Sequence, residues 1–261
     1  MSNKSPIGIF DSGVGGLSIW KEIHQLLPNE STIYLADSKN APYGEKSKQE
    51  IIDLCIKNTE LLLDKGCKLI VVACNTATTN AIDYLRENYQ VPFIGIEPAI
   101  KPAALQTKTK KIGILATKGT LSSSLFASAS ELYSQKIEII EQVGTGLVDL
   151  IERGKINSKE TQQLLMQLLQ PMIQSNVDYL VLGCTHYPFL IPQITKILPQ
   201  NIKIIDSGEA VARQTEKILH QYGLQQKNEA VECLFFTNGN SNVIQYFIGN
   251  EFTVSYVNFK D

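Results

Sequence analysis

The chain has 261 residues, 43% hydrophobic and 19% charged, with no biased tract; such a composition suits one large globular domain or two small ones. Its formal net charge of −2 offers no basic field for nucleic acid, and no apolar run approaches a membrane span. The N-terminus, MSNKSPIGIF, has no signal-peptide core, so a cytoplasmic protein is expected.

IGIF (7–10) reads as the first strand. DSGVGG (11–16) follows it and opens an amphipathic segment over 15–27. Ser18 stands where a dinucleotide fingerprint needs its last glycine, and no Gly-Lys-Ser/Thr closes a P-loop. The segment reads instead as a loop that places Asp11 and Ser12 at a strand end, with glycines permitting close backbone approach. IYLA (33–36) leads into ADSKNAPYGEKS (36–47), whose Pro42, Tyr43 and Gly44 occupy a loop. A helical pattern over 46–65 stops at Gly66, a C-cap, and contains Cys55, a small core hydrophobe. LIVVA (69–73) ends at Cys74, with Asn75 and Thr76 before a helix over 77–89, and FIGI (93–96) closes the first half.

The second half begins at IGILA (112–116), with Thr117 and Thr120 just beyond it, and continues through IEIIE (137–141). In the next helix, over 158–175, Asn157 and Glu160 have capping-box spacing, and Pro171 is expected to end or kink it. YLVLG (179–183) stops at Cys184, Thr185 and His186. IKIID (202–206), a helix over 208–222, CLFFT (233–237) and FTVSYV (252–257) complete the chain. Most of these strands are apolar without alternation, as in strands buried on both faces. Strands alternating with helices mean an α/β protein with mainly parallel sheets. Cys67 and Cys233, at the edges of apolar runs, read as packing residues, as do His24 and His220, which have no motif around them.

The halves repeat. IGIFDSGVGGLS and IGILATKGTLSS lie 105 residues apart, the two cysteine segments 110, and PFIGIEPAIKPA and KIIDSGEAVARQ 111. Nearly constant offsets in the same order indicate two pseudo-symmetric, mainly parallel α/β domains, expected at 1–97 plus 208–261 and at 98–207. Ligands of parallel sheets bind beyond the carboxyl ends of strands. Facing units would present Cys74 and Cys184 to each other across a cleft, which is the expected active site.

Five cysteines, odd in number and widely spaced, are no disulfide framework. Two opposed sulfurs can do acid–base chemistry. A thiolate on one face of a carbon removes a proton, a thiol on the other returns one, and a stereocentre inverts without metal or organic cofactor. Each cysteine precedes a helix-like segment whose N–H groups would favour the thiolate. A phosphatase loop needs arginine where Asn80 and Leu190 stand, and zinc at Cys184 and His186 lacks a paired-cysteine motif. A Cys184–histidine nucleophile and a pair of inert buried cysteines stay open, although the former leaves Cys74 unexplained. Ser12, Asn75, Thr76, Thr117, Thr120 and Thr185 supply hydroxyl and amide groups suited to the carboxylates of a small ligand.

FDSGVGGLS, ADSKNAPYG, ACNTAT, GCTHYP and IDSGEA, in this order from Gly8 to about Arg213, resemble bacterial glutamate racemases. The resemblance implies interconversion of L- and D-glutamate without pyridoxal phosphate, with no metal, in supply of D-glutamate for peptidoglycan. It implies Cys74 as the thiol acting on D-glutamate and Cys184 on L-glutamate, assisted by Asp11, His186 and Glu152. Asp11 and His186 are also expected at the substrate, with Ser12, Pro42, Tyr43 and Gly44. Asn75, Thr76, Thr117, Thr120 and Thr185 complete that expectation. A homodimer is implied, with no nucleic-acid or membrane partner. The first strand begins almost at the N-terminus, so the activator-linked extension of some members is not expected. The alternatives are an aspartate or related racemase, and a small-acid-binding protein of the same fold without turnover.

Overall fold

The computed structural model describes residues 4–226 and 230–259; the expected first domain also takes in 1–3, 227–229 and 260–261, which lie outside the described residues. The first four strands are β1 (Ile7–Asp11), β2 (Thr32–Ala36), β3 (Leu69–Val72) and β4 (Phe93–Gly95). The next four are β5 (Lys111–Ala116), β6 (Glu138–Val143), β7 (Tyr179–Gly183) and β8 (Lys203–Ile205). After β8 the chain adds β9 (Cys233–Thr237) and β10 (Val254–Tyr256). Helices α1 (Leu17–Leu26), α2 (Lys48–Asp64), α3 (Asn75–Asn88) and α4 (Ile100–Gln106) follow the first strands in turn. Then come α5 (Lys118–Leu121), α6 (Ser124–Ser134), α7 (Leu147–Glu152), α8 (Lys159–Gln174) and α9 (Ile191–Ile197). The last two are α10 (Gly208–Tyr222) and α11 (Ser241–Ile248).

Two sheets result, both parallel throughout: β10-β9-β2-β1-β3-β4 and β6-β5-β7-β8. The path β2-β1-β3-β4 is therefore walked again as β6-β5-β7-β8, and β9 with β10 extends only the first sheet. The repeat reaches the backbone detail. After α2, Gly66 takes φ +79° while its N–H and that of Cys67 bond to the Leu63 and Leu62 carbonyls. After α8, Asn176 takes φ +56° and the same two bonds run from Asn176 and Val177 to Ile173 and Met172. This paired-bond helix ending needs a residue tolerant of the left-handed region, and glycine and asparagine are the two that tolerate it best. It stands eight residues before Cys74 and eight before Cys184, so each cysteine strand is entered in the same way.

The inner strands β1, β2, β3, β5 and β7 are largely apolar because neither face meets water. Along β3, Leu69 and Val71 join one cluster and Ile70 and Val72 another, all fully buried. The first cluster also holds Leu115, Leu180 and Leu182 of the second sheet, bridged by Val14, Leu17, Val148, Ile151 and Tyr187. The edge strand β6 instead carries Glu138, Glu141 and Gln142. Among the described residues no helix is long and apolar enough to cross a membrane.

One local expectation is corrected and another is narrowed. The N-cap of α8 is Ser158, whose Oγ accepts the Thr161 N–H at 3.1 Å, while the Asn157 amide oxygen accepts from Gln193. A capping box forms at α2 instead, between Ser47 and Glu50. Pro171 does not end α8, which runs on to Gln174. The missing N–H falls in the last turn, and burial of Leu168, Leu169 and Met172 holds the helix together across it.

Candidate active site

In each sheet the path reverses direction between two neighbouring strands, β1 and β3 in the first and β5 and β7 in the second. Clefts open at the carboxyl ends of strands at such points. Asp11 is the last residue of β1, and Cys74 lies two residues beyond β3. Thr117 follows β5, and Cys184 follows β7. Both cysteines line one small cavity with Ser12, Asn75, Thr185 and His186. Pro42, Tyr43 and Gly44 close one side, and Thr76, Thr117 and Val148 another. Among the described residues no Lys or Arg lines it. Val148 went unnoticed in the sequence, because an apolar position in a short helix carries no sign of what it faces.

Cys74 is the N-cap of α3, and its Sγ accepts the Ala77 N–H at 3.5 Å. The thiol donates to Ser12 Oγ at 3.7 Å. Burial pushes the thiol well above its ordinary range and the nearby Asp11 charge adds to it, outweighing the bond from Ala77. The helix N–H does favour the charged form, as expected, but desolvation outweighs it, and the resting group is a thiol.

On the other side, Cys184 Sγ lies 3.8 Å from His186 Nδ1, and His186 Nε2 lies 2.6 Å from Glu152 Oε1. A turn and a short 3-10 segment, Tyr187–Leu190, separate this cysteine from α9. Burial alone would lower the His186 imidazolium, but hydrogen bonds to Cys184 and Glu152, then the charges of Cys184 and Asp11, hold it well above its ordinary value. Glu152, at the end of α7, also accepts the Val14 N–H at 2.7 Å and the Ser38 hydroxyl at 3.2 Å. The glycines of the first loop make this approach possible. A Cβ on Gly13 would lie 1.9 Å from Glu152 Oε1, and one on Gly15 would lie 2.3 Å from His186 Nδ1.

Asp11 is fully buried behind Ser12 and accepts from the Gly13 N–H (2.8 Å) and the Thr185 hydroxyl (2.9 Å). Burial raises its carboxyl from 3.8 to about 6, against the opposing pull of His186 and these two bonds. The native state thus holds the proton more tightly than the unfolded chain does. The associated stability is full below pH 3.8 and is lost as pH rises through about 6. Asp11→Asn keeps one donor and one acceptor in place, so it is expected to raise unfolding free energy at neutral pH by up to about 3 kcal/mol. It also flattens the stability profile between those two pH values. Urea unfolding of both proteins across that range checks this, and parallel profiles would refute it.

The hydroxyls of Thr76, Thr117 and Thr120 form a triangle with sides of 2.8, 3.0 and 3.3 Å. Thr120 is fully buried and stands behind the other two. Both amide atoms of Asn75 are buried without a hydrogen-bond partner among the described residues. An orphaned donor and acceptor side by side is costly unless a ligand satisfies them. The cavity itself is about 10 Å³, room for about one water molecule and far too little for an amino acid. Beyond Pro42, Gly44, Thr117 and Val148 it adjoins an outer cleft of about 500 Å³.

Residues 7–215 match the family model described as Asp/Glu/Hydantoin racemase. The chain is 45% identical to a glutamate racemase of Ectopseudomonas mendocina over 93% of each chain. It is 46% identical to one of Ralstonia pickettii over 94% of this chain and 87% of that protein. Glutamate racemase isoform RacE1 of Bacillus anthracis superposes with a TM-score of 0.86 at 33% identity, covering 97% of each chain. The Escherichia coli glutamate racemase, solved with L-glutamate and the activator UDP-MurNAc-Ala, gives 0.86 at 32% identity, covering 97% of this chain and 98% of that one.

Proposed function

We infer the reaction from the family: the chain belongs to the Asp/Glu/Hydantoin racemases, and it interconverts L- and D-glutamate without pyridoxal phosphate, supplying D-glutamate for peptidoglycan. The observation that carries this reading is that two thiols from equivalent strand ends line one cavity. One sulfur, as thiolate, takes the α-proton. The electron pair left on carbon delocalises into the substrate carboxylate, and the other thiol delivers a proton to the opposite face. Cys184 works on L-glutamate with His186 and Glu152 as its proton relay, and Cys74 works on D-glutamate with Asp11 nearby. Ser12, Asn75, Thr76, Thr117 and Thr185 hold the carboxylates, and Thr120 braces Thr76 and Thr117. The unsatisfied Asn75 amide supports this assignment. Pro42, Tyr43 and Gly44 form the wall against which the substrate lies.

Domains at 1–97 plus 208–261 and at 98–207 separate to admit substrate and close around it. The one-water cavity supports such a cycle, because closure expels solvent from the reacting carbon. A homodimer in the cytoplasm completes the reading. Purified protein is expected to abolish the optical rotation of L-glutamate and leave L-aspartate unchanged. In D₂O, glutamate gains deuterium at the α-carbon. Loss of rotation in aspartate alone would move the protein to the related racemases, and no exchange in either amino acid would leave a binding protein.

A further inference from the structure

The first-sheet wall of the cavity is tied to a part of the chain that contributes nothing to the site itself. Asp37, just past β2, is 2% exposed. Its Oδ2 accepts the Tyr43 hydroxyl at 2.5 Å. Its Oδ1 accepts from Asn40 Nδ2 at 2.8 Å and from Asn238 Nδ2 at 2.5 Å. Asn58 Nδ2 donates to the same Tyr43 oxygen at 3.1 Å. Asn238 follows β9, and its own amide oxygen accepts the Lys39 N–H at 2.9 Å. Next to it, Gly239 packs so closely that a Cβ would lie 2.6 Å from Ser38 Cβ. The turn over 37–40 is thus gripped from behind by the loop between β9 and α11. On its front it meets the site in two ways: Asp37 accepts from Tyr43, which lines the cavity, and Ser38 donates to Glu152.

Burying an ionisable carboxylate is expensive unless charge-assisted hydrogen bonds compensate, and a packed aliphatic residue could brace a loop without that cost. What a carboxylate adds is direction: it accepts from the phenol and both amides at once, and so fixes the Tyr43 ring along its own plane. Burial raises the Asp37 carboxyl, while the Tyr43, Asn238 and Asn40 bonds oppose the rise and favour the charged form.

We propose that Asp37, held by Asn238, is a positioning residue that sets the Tyr43 wall of the substrate cavity, so that the segment after β9 governs substrate affinity. The inference rests on the racemase reading above. Asp37→Asn keeps one acceptor for Asn40 and Asn238 but turns an N–H toward the Tyr43 hydroxyl, which loses its acceptor and already receives the Asn58 N–H, and the wall loosens. KM for glutamate is expected to rise about tenfold with kcat changed less than about threefold, the scale of one lost charge-assisted bond. Asn238→Ala gives the same split. The exchange variant Asp37→Asn with Asn238→Asp, which restores an amide–carboxylate pair in reverse order, recovers most of the wild-type KM.

A purely structural role would lower the melting temperature and the active fraction, leaving KM of the folded enzyme where it was. Unchanged KM in Asn238→Ala, or an exchange variant no better than the single ones, overturns the proposal. Asn238→Ala leaves Asp37 bonded to Tyr43 and Asn40, so it decides the matter even where Asp37→Asn does not fold. Wild-type enzyme is assayed alongside: its failure to racemise glutamate refutes the functional reading, whereas activity with unaltered KM in the variants refutes only this one.

Discussion

Serine at Cys74 or at Cys184 is expected to abolish racemisation in both directions, with kcat falling by about 10³-fold or more. In the proposed mechanism each sulfur is the base for one enantiomer and the acid for the other, so neither direction would run on a single thiol. Oxygen in place of sulfur keeps the local contacts: at residue 74 a hydroxyl can still accept from Ala77 and meet Ser12. It cannot ionise in the range open to a thiol of ordinary value about 8.5. The two variants therefore separate chemistry from folding. Chiral chromatography of reactions started from each enantiomer gives the rates, and thermal melts show the fold intact. Near-normal conversion in either direction by either variant would end the two-base mechanism.

Gly15→Ala carries the second large effect, although it adds one methyl group outside the reacting atoms. That carbon would stand 2.3 Å from His186 Nδ1 and 2.7 Å from Thr185 Oγ1. Gly15 is not in the left-handed region, so the cost is contact and not backbone strain. The imidazole has no room to yield, being 1% exposed and held at both nitrogens, by Cys184 and Glu152. It must leave one partner or the other. Misplacing a positioned group by about 1 Å costs roughly 10²-fold in rate, and overpacking costs about 1–3 kcal/mol in stability. Gly15→Ala is accordingly expected to lower kcat about 100-fold while remaining folded, as steady-state kinetics and urea unfolding would register. Activity within about threefold of wild type would show that His186 need not stand where it does.

Much of this was legible in the chain. Strands buried on both faces write themselves as runs such as LIVV and YLVLG, and a polar residue marks where each ends. Cys74 and Cys184 were visible for that reason, and the offset of 110 residues between them is the offset of the helix endings at Gly66 and Asn176. The glycines of DSGVGG announced a close approach without naming the neighbour.

The sequence by itself determined the βα rhythm, the duplication, and the residues set at the strand ends, because periodicity, turn chemistry and strand length are local properties of consecutive residues. Only the tertiary structure decided that Glu152 meets Val14 across 138 residues of chain, that Val148 lines the cavity beside both cysteines, and that Asn238 reaches Tyr43 through Asp37. It also decided the proton on Cys74, where local helix chemistry favours the thiolate and burial overrides it. Desolvation and long-range contact depend on what packs against a side chain from elsewhere, and no stretch of neighbouring residues encodes that.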